Sequence, residues 1–331
     1  MPKRLKQSYW RIVWRQFIKR RLCVAALALL AMLGLIALFA PFLAGDVPIH
    51  ATYQGKMYWF PNVIGYRDLV SVAFDEWEPA EDESAVWPVI RIAPDRSDLF
   101  KILEKPTSEH WLGTDNRGRD VLSRIIWGTR ISLTIGFIAV GISVTIGIVL
   151  GSVAGYYGGK VDAVILRLIE IMLCFPTLIF ILALIAFLPQ SIYNIMIAIG
   201  ITTWTGAARL VRGEFLKLRE SDFATAAIAT GLSDAQIIFR HLLPNALAPV
   251  LVNATFGVAG AILLESALSF LGFGVPPPTA SWGEILKQSK EYIDFAWWLV
   301  TFPGLAIFIT VTAFNLVGEG FRDAMDPRLR Q

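Results

Sequence analysis

Cysteine is nearly absent from this 331-residue chain: there are two, Cys23 and Cys174, both in apolar runs. With no C-x-x-C, no disulfide framework can be read from the sequence. Histidine is as scarce. His50, His110 and His241 stand far apart in sequence, and no H-E-x-x-H, Cys/His cluster or nucleophile elbow accompanies them. A phosphate-binding loop is missing as well. In the nearest stretch, "AGYYGGKVD", Ala154 occupies the first glycine position and Val161 the Ser/Thr position. Charge is sparse, at 17% Asp, Glu, Lys and Arg. What is there instead is 55% hydrophobic residues and a mean hydropathy of +0.56, too apolar for an ordinary soluble domain. Several apolar runs reach about 20 residues, enough to cross a bilayer as helix. The composition places the chain among polytopic membrane proteins.

The formal net charge of +3 is unevenly spread. Lys3, Arg4, Lys6, Arg11, Arg15, Lys19, Arg20 and Arg21 crowd residues 1–22 without an acid, and the apolar run 23–44 follows directly. A basic block leading straight into a membrane segment reads as a cytoplasmic anchor rather than a nucleic-acid surface. The run is longer than a usual signal-peptide core, and no small-x-small cleavage site follows it. Five further spans are expected over about 131–156, 164–188, 192–208, 251–271 and 296–317. Small residues in the first of these allow close helix approach. Pro176 is expected to kink the 164–188 span, and Arg167 and Glu170 share a face at its start. Six spans, counted with 23–44, return the C-terminus to the side of the N-terminus.

Residues 45–130 form a long polar insert. Its "DEWEPAEDES" run (75–84) reads as an exposed acidic loop, with contact to an outside partner the other reading. Tyr53, Tyr58, Trp59 and Phe60 either pack the insert or lie at the membrane interface, and packing is the favoured use of such aromatics. Gly113, Asp115, Asn116 and Gly118 predict a turn, with Asp115 and Arg119 as turn and interface residues. Asp120 to Trp127 predicts a short interfacial helix.

The stretch "SDFATAAIATGLSDAQIIFRHLLPN" (221–245) is patterned differently from its greasy neighbours. Ser221 predicts a helix cap, alanines fill the turn after it, and Gly231 suits a left-handed C-terminal residue. Ser233 with Gln236 predicts a capping box, and Pro244 is expected to stop the second helix. Two short helices meeting at a glycine read either as loop padding or as a docking element for a partner.

Five ordered motifs decide between these. They are "GTDNRGRDVLSRIIWGTRISL" (113–133), "GYYGGKVDAVILRLIE" (155–170), "RLVRGEFLKLRESDFATAAIATGLSDAQIIFRHLLPN" (209–245), "ESALSFLGFGVPPPTASWG" (265–283) and "AFNLVGEGFRDAMDPRLR" (313–330). Together they resemble the permease subunit of peptide-type ABC importers, the dipeptide/oligopeptide/nickel permease family. The resemblance implies an all-α fold of six transmembrane helices, the type I ABC importer permease fold with cytoplasmic coupling helices. It divides the chain into a basic cytoplasmic leader (1–22), a first span (23–44), an extracytoplasmic insert (45–130), a five-helix core (131–318) holding a coupling region (209–248), and a cytoplasmic tail (319–331). The family's coupling pattern is Glu-Ala-Ala, three residues, Gly, and later Leu-Pro. Ala226, Ala227, Gly231, Leu243 and Pro244 match it, while Thr225 holds the Glu position and Ile228 the often basic position after the alanines.

The implied function is ATP-driven uptake of peptides across a bacterial or archaeal plasma (inner) membrane, with both termini cytoplasmic. The implied partners are a second homologous permease, two ATPase subunits, an extracytoplasmic solute-binding protein and membrane lipids, and no nucleic acid. No catalytic or cofactor site is expected in this chain; ATP and Mg belong to the partner ATPases. Nickel chelates or other small solutes are the alternative cargo. An ion-coupled secondary transporter is the alternative class, but it lacks a visible repeat or relay of acids. Glu265, inside an apolar run, is either a pathway or gate residue or a structural hydrogen-bond acceptor near the outer surface.

Overall fold

A computed structural model describes residues 9–74, 77, 80 and 83–325. Lys3, Arg4 and Lys6 of the basic leader, most of the acidic run 75–84, and residues 326–331 of the tail lie outside the described residues.

The structure is mostly helical. The helices are α1 (Tyr9–Ile18), α2 (Arg21–Leu38), α3 (Ala40–Leu43), α4 (Val121–Tyr157), α5 (Gly159–Leu173), α6 (Thr177–Ala186), α7 (Ile192–Arg219), α8 (Asp222–Ala229), α9 (Asp234–Gln236), α10 (Leu243–Leu271), α11 (Trp282–Gln288) and α12 (Trp298–Met325). Four described helical segments are long and apolar enough to cross a membrane: Arg21–Leu38, Val121–Tyr157, Asp234–Leu271 and Trp298–Met325. The pair α5 and α6 makes a fifth if taken as one broken span. Its bend is 84°, at the break that ends in Pro176, so the expected kink is a full interruption of the helix. The expected span at 192–208 lies in α7, whose 28 residues extend about 42 Å at 1.5 Å per residue. It is long enough to cross, but Asn194, its threonines and Arg209 leave it short of the apolar character of the others.

Two local expectations fail for identifiable reasons. The 120–127 segment is not a separate interfacial helix. Asp120 caps α4 by accepting the Ser123 N–H at 2.7 Å, and nothing after Trp127 breaks the helix, which runs on for 37 residues. Pro244 does not stop its helix either. A π-turn over Ile237–Leu242 closes with Leu243 N–H donating to Ile238 O, and this wider turn carries the helix past a residue with no N–H to give.

The chain forms two compact units. The first takes residues from 1–30, 135–264 and 309–331. Here α1 packs on the C-terminal end of α12: Phe17 stacks on Phe321 at 4.6 Å between centroids, and Arg20 pairs with Asp323. Along α4, Gly147, Gly151 and Gly155 recur every four residues and meet α7 at close range. A Cβ on any of them would lie 2.5 Å from Ala207 Cβ, Ala208 O or Phe215 Cβ respectively. This is the small-residue seam that lets helices approach in lipid.

The second unit takes residues 31–134 and 265–308. It contains a three-stranded antiparallel sheet in the order β2 (Lys56–Trp59), β1 (His50–Tyr53), β3 (Ser84–Val86), which the all-α expectation omitted. Gln54 and Gly55, both at positive φ, make the two-residue turn whose twist suits such a hairpin. Tyr58, Leu69 and Phe74 form a small core under the sheet, joined by Tyr53, Trp77 and Trp87. Tyr53 and Tyr58 thus pack the insert, while Trp59 and Phe60 stay exposed.

Candidate functional site

The 209–248 region is a helical hairpin built on α7. Ser221 sits at the start of α8 in extended backbone, but its hydroxyl donates back to Leu218 O at 2.5 Å and does not cap the helix. The Ser233 capping box is present in full: the Ser233 N–H donates to Gln236 Oε1 at 3.0 Å, and the Gln236 N–H to Ser233 Oγ at 3.4 Å. Gly231 lies between the two helices at φ +76°, with open space where a side chain would project. The backbone, not steric room, is what demands glycine here.

The hairpin has two faces. Ala224 and Ala227, one turn apart, pack inward with Val211, Phe215, Ile237, Ile238 and Leu242. Leu243 is half-buried against the same cluster. Thr225, Ala226, Gly231 and Pro244 are exposed. Phe223, Ile228 and Phe239 are 42%, 52% and 65% exposed, so the hairpin leaves three large apolar side chains uncovered. The matched positions therefore divide: Ala227 and Leu243 serve the hairpin's own core, while Ala226, Gly231 and Pro244 are exposed, as is Thr225 at the departing Glu position.

Polar ties from other helices hold this hairpin, and the motif pattern did not reveal them. Tyr156, near the end of α4, donates its hydroxyl to Asp234 Oδ1 at 2.7 Å. Arg219 donates to the Tyr156 carbonyl at 3.0 Å. Arg212 on α7 forks onto Asp162 on α5, with Nη2 2.6 Å from Oδ2. The visible signal was charge set among helical apolar residues, but partners 50 positions apart cannot be matched by spacing.

In the second unit Glu265 is fully buried. Its Oε1 accepts from Ser269 Oγ at 2.7 Å and Ser281 Oγ at 2.8 Å. Ser281 also caps α11, accepting the Glu284 N–H at 3.1 Å. Glu284 pairs with Arg124, and Arg124 Nε lies 3.4 Å from Asp115 Oδ2. Arg119 Nε donates to the same oxygen at 2.7 Å. Asp115 and Arg119, expected as turn and interface residues, do form the turn, but they are buried members of this network. Beside it, His110 Nδ1 is 2.9 Å from Asp120 Oδ2, and Trp298 Nε1 donates to Thr114 O at 3.0 Å. The charges of Asp115, Arg119, Arg124 and Glu284 are tolerable in a low-dielectric interior because each faces an opposite charge. On the unit's exposed rim, Lys101 bonds Glu109. That bond holds the Glu109 carboxyl below the ordinary carboxylate range and raises the lysine.

These elements define a multi-span helical membrane protein with the fold of an ABC importer permease. A chain of the inward-facing MetNI methionine ABC transporter superposes with a TM-score of 0.50 at 20% identity, over 62% of this chain and 96% of that one. That likeness carries the fold alone. Residues 147–331 match the binding-protein-dependent transport system inner membrane component, and residues 8–57 match the N-terminal TM domain of oligopeptide transport permease C. The dipeptide transport system permease protein DppC of Alkalihalophilus pseudofirmus is 38% identical over 323 residues, covering 98% of this chain and 91% of that protein. The glutathione transport system permease protein GsiD of Pectobacterium atrosepticum is 34% identical over 321 residues, covering 97% and 92%. The chain belongs to the binding-protein-dependent transport system inner membrane components, among the peptide-type ABC importer permeases. It is a multi-pass plasma-membrane transport subunit, not an enzyme.

Proposed function

We propose that this chain forms half of the translocation pathway of an ATP-driven importer of short peptides, and that its 209–248 hairpin seats in a partner ATPase. The observation that carries the reading is the exposure of three large apolar side chains, Phe223, Ile228 and Phe239, on a hairpin whose inner face is closed by its own core. A surface of that kind in water calls for a protein cover. Thr225 and Ala226 lie on the exposed side of α8, Gly231 sets the angle between the helices, and Ala227, Leu243 and the π-turn at Pro244 keep the element stiff. A stiff element transmits the closure of ATPase subunits to the membrane helices, because each state then makes different contacts. ATP and Mg are used by those ATPases, since this chain has no phosphate-binding loop.

The pairing of Phe17 with Phe321 and of Arg20 with Asp323 supports placing both chain ends on one side of the membrane. That arrangement needs an even number of crossings, which α7 supplies as a sixth beside the five apolar candidates. With the basic leader cytoplasmic, the coupling hairpin is cytoplasmic and the sheet-bearing insert faces outward. A second permease completes the pathway, and a solute-binding protein delivers cargo to the outer side. Relatives named for dipeptides and glutathione support short peptides as that cargo. Full burial and serine bonding favour Glu265 as a structural acceptor that holds α10 to the α11 cap, rather than a group lining the pathway.

The test is uptake into vesicles carrying the chain with its partners. Labelled di- and tripeptides should enter only with ATP and only when this chain is present. An assembled complex that hydrolyses ATP yet moves no peptide would overturn the cargo. A complex whose ATPases do not bind this chain would overturn the role of the hairpin.

A further inference from the structure

An apolar groove of about 480 Å³ opens on the second unit, lined among others by Leu38, Phe39, Phe42, Phe60, Ile64 and Arg130. Leu38 is the last residue of α2, a segment apolar enough to span a membrane. Arg130 is the last charged residue of α4 before the uncharged stretch 131–156. The groove thus brings together the C-terminal end of α2 and the last charge before the apolar stretch of α4.

Its shape is held by specific contacts. Phe42 and Phe60 meet edge to face at 5.8 Å between centroids. Phe60 has φ +54°, a left-handed backbone that bulky L residues avoid. Its carbonyl accepts the N–H groups of Val63 and Ile64 at 2.9 and 2.8 Å, which turns Ile64 into the groove. Leu38, Phe39, Phe60 and Ile64 are nonetheless between 45% and 67% exposed, so the groove is uncovered apolar surface. At its edge the Arg130 guanidinium lies 5.9 Å from the Trp127 ring centroid and pairs with no carboxylate among the described residues.

We propose that this groove binds one anionic phospholipid, with an acyl chain along the aromatic and aliphatic wall and the phosphate on Arg130. A guanidinium prefers a planar, forked contact with phosphate oxygens and is weakly hydrated, so it suits the headgroup layer. Tryptophan beside it is typical of that depth. An acyl chain joined to a negative group at this position is what a membrane lipid presents, and the paired apolar wall and lone cation complement both parts. The bound lipid fills the space between the end of α2 and the loop after β2, and so ties the insert to the membrane end of the spans.

The test uses the whole transporter purified in mild detergent, with retained lipid counted by native mass spectrometry after exposure to phosphatidylglycerol or phosphatidylcholine. The wild type should retain one phosphatidylglycerol in preference to phosphatidylcholine. Arg130→Gln should weaken retention of phosphatidylglycerol about tenfold, the loss expected for one charge-assisted contact, and abolish the preference. Ile64→Ser should weaken retention of both lipids and leave the preference intact. Equal retention of the two lipids by the wild type, or retention unchanged in Arg130→Gln, would overturn the proposal and leave only bulk lipid at the groove. A photoreactive benzoylphenylalanine in place of Val63 supplies a second reading in native membranes. An adduct with the mass of a phospholipid supports the site, and an adduct to another polypeptide overturns it. Neither measurement depends on uptake, so failure here is separable from failure of the importer reading.

Discussion

The Tyr156 hydroxyl reaches Asp234 Oδ1 at 2.7 Å, joining the end of α4 to the second helix of the 209–248 hairpin across 78 positions of sequence. Tyr156→Phe removes that bond alone, at a cost of about 1 kcal/mol, too little to unfold the subunit. The expected result is looser coupling. ATP consumed per peptide transported should rise in reconstituted vesicles while the complex still assembles, and an unchanged ratio would count against the tie.

Gly231 has room for a side chain but not the backbone for one. Gly231→Asn should be mild, because asparagine tolerates the left-handed region. Gly231→Val should strain the turn by about 1–2 kcal/mol and change the angle between α8 and α9. Uptake should fall much further in the valine variant than in the asparagine variant. Equal activity in both would mean that the turn angle does not matter to transport.

Arg124 and Glu284 are buried partners 160 positions apart. Removing one partner leaves the other charge uncompensated, for which about 3–5 kcal/mol is typical. Arg124→Met and Glu284→Leu should each lower the thermal midpoint of the purified subunit sharply. The double variant should recover part of the loss, not all, because Asp115 also faces Arg124. Additive losses in the double variant would show that the two residues act separately.

Gly151 lies against the backbone of α7, where an added Cβ would come 2.5 Å from Ala208 O. Gly151→Leu should force the helices apart and cost at least about 1–3 kcal/mol by overpacking. The quantity to measure is the yield of folded subunit in membranes. A near-normal yield would show that the seam gives way easily.

Glu265→Gln keeps an acceptor for Ser269 and Ser281 and removes the charge, so assembly and uptake should persist. Glu265→Ala leaves both hydroxyls without their acceptor in a dry site, a loss of about 1–3 kcal/mol. A loss of uptake in the glutamine variant, with stability unchanged, would return Glu265 to the pathway.

The sequence alone determined what depends on local periodicity and chain ends. Uncharged runs at 23–44, 131–156 and 296–317 are long enough to span a bilayer as helix, the form in which a single segment satisfies its own backbone in lipid. Gly231 and the Ser233–Gln236 box announced the hairpin, since caps and left-handed turns are made by residues within a few positions of one another. Only the tertiary structure decided the rest. Asp115 and Arg119 read as an ordinary turn until Glu284, from a distant segment, pairs with the neighbouring Arg124 and closes a buried network around them. Ala227 and Ala226 are adjacent and chemically identical, and only packing against Phe215 and Ile237 turns one inward and leaves the other to water. Pro244 looked like a stop because a proline removes a local hydrogen bond, whereas the π-turn that carries the helix past it belongs to the packed hairpin. Polar partners in an apolar chain are chosen by three-dimensional proximity and by the high cost of an unpaired charge, and neither is written in spacing.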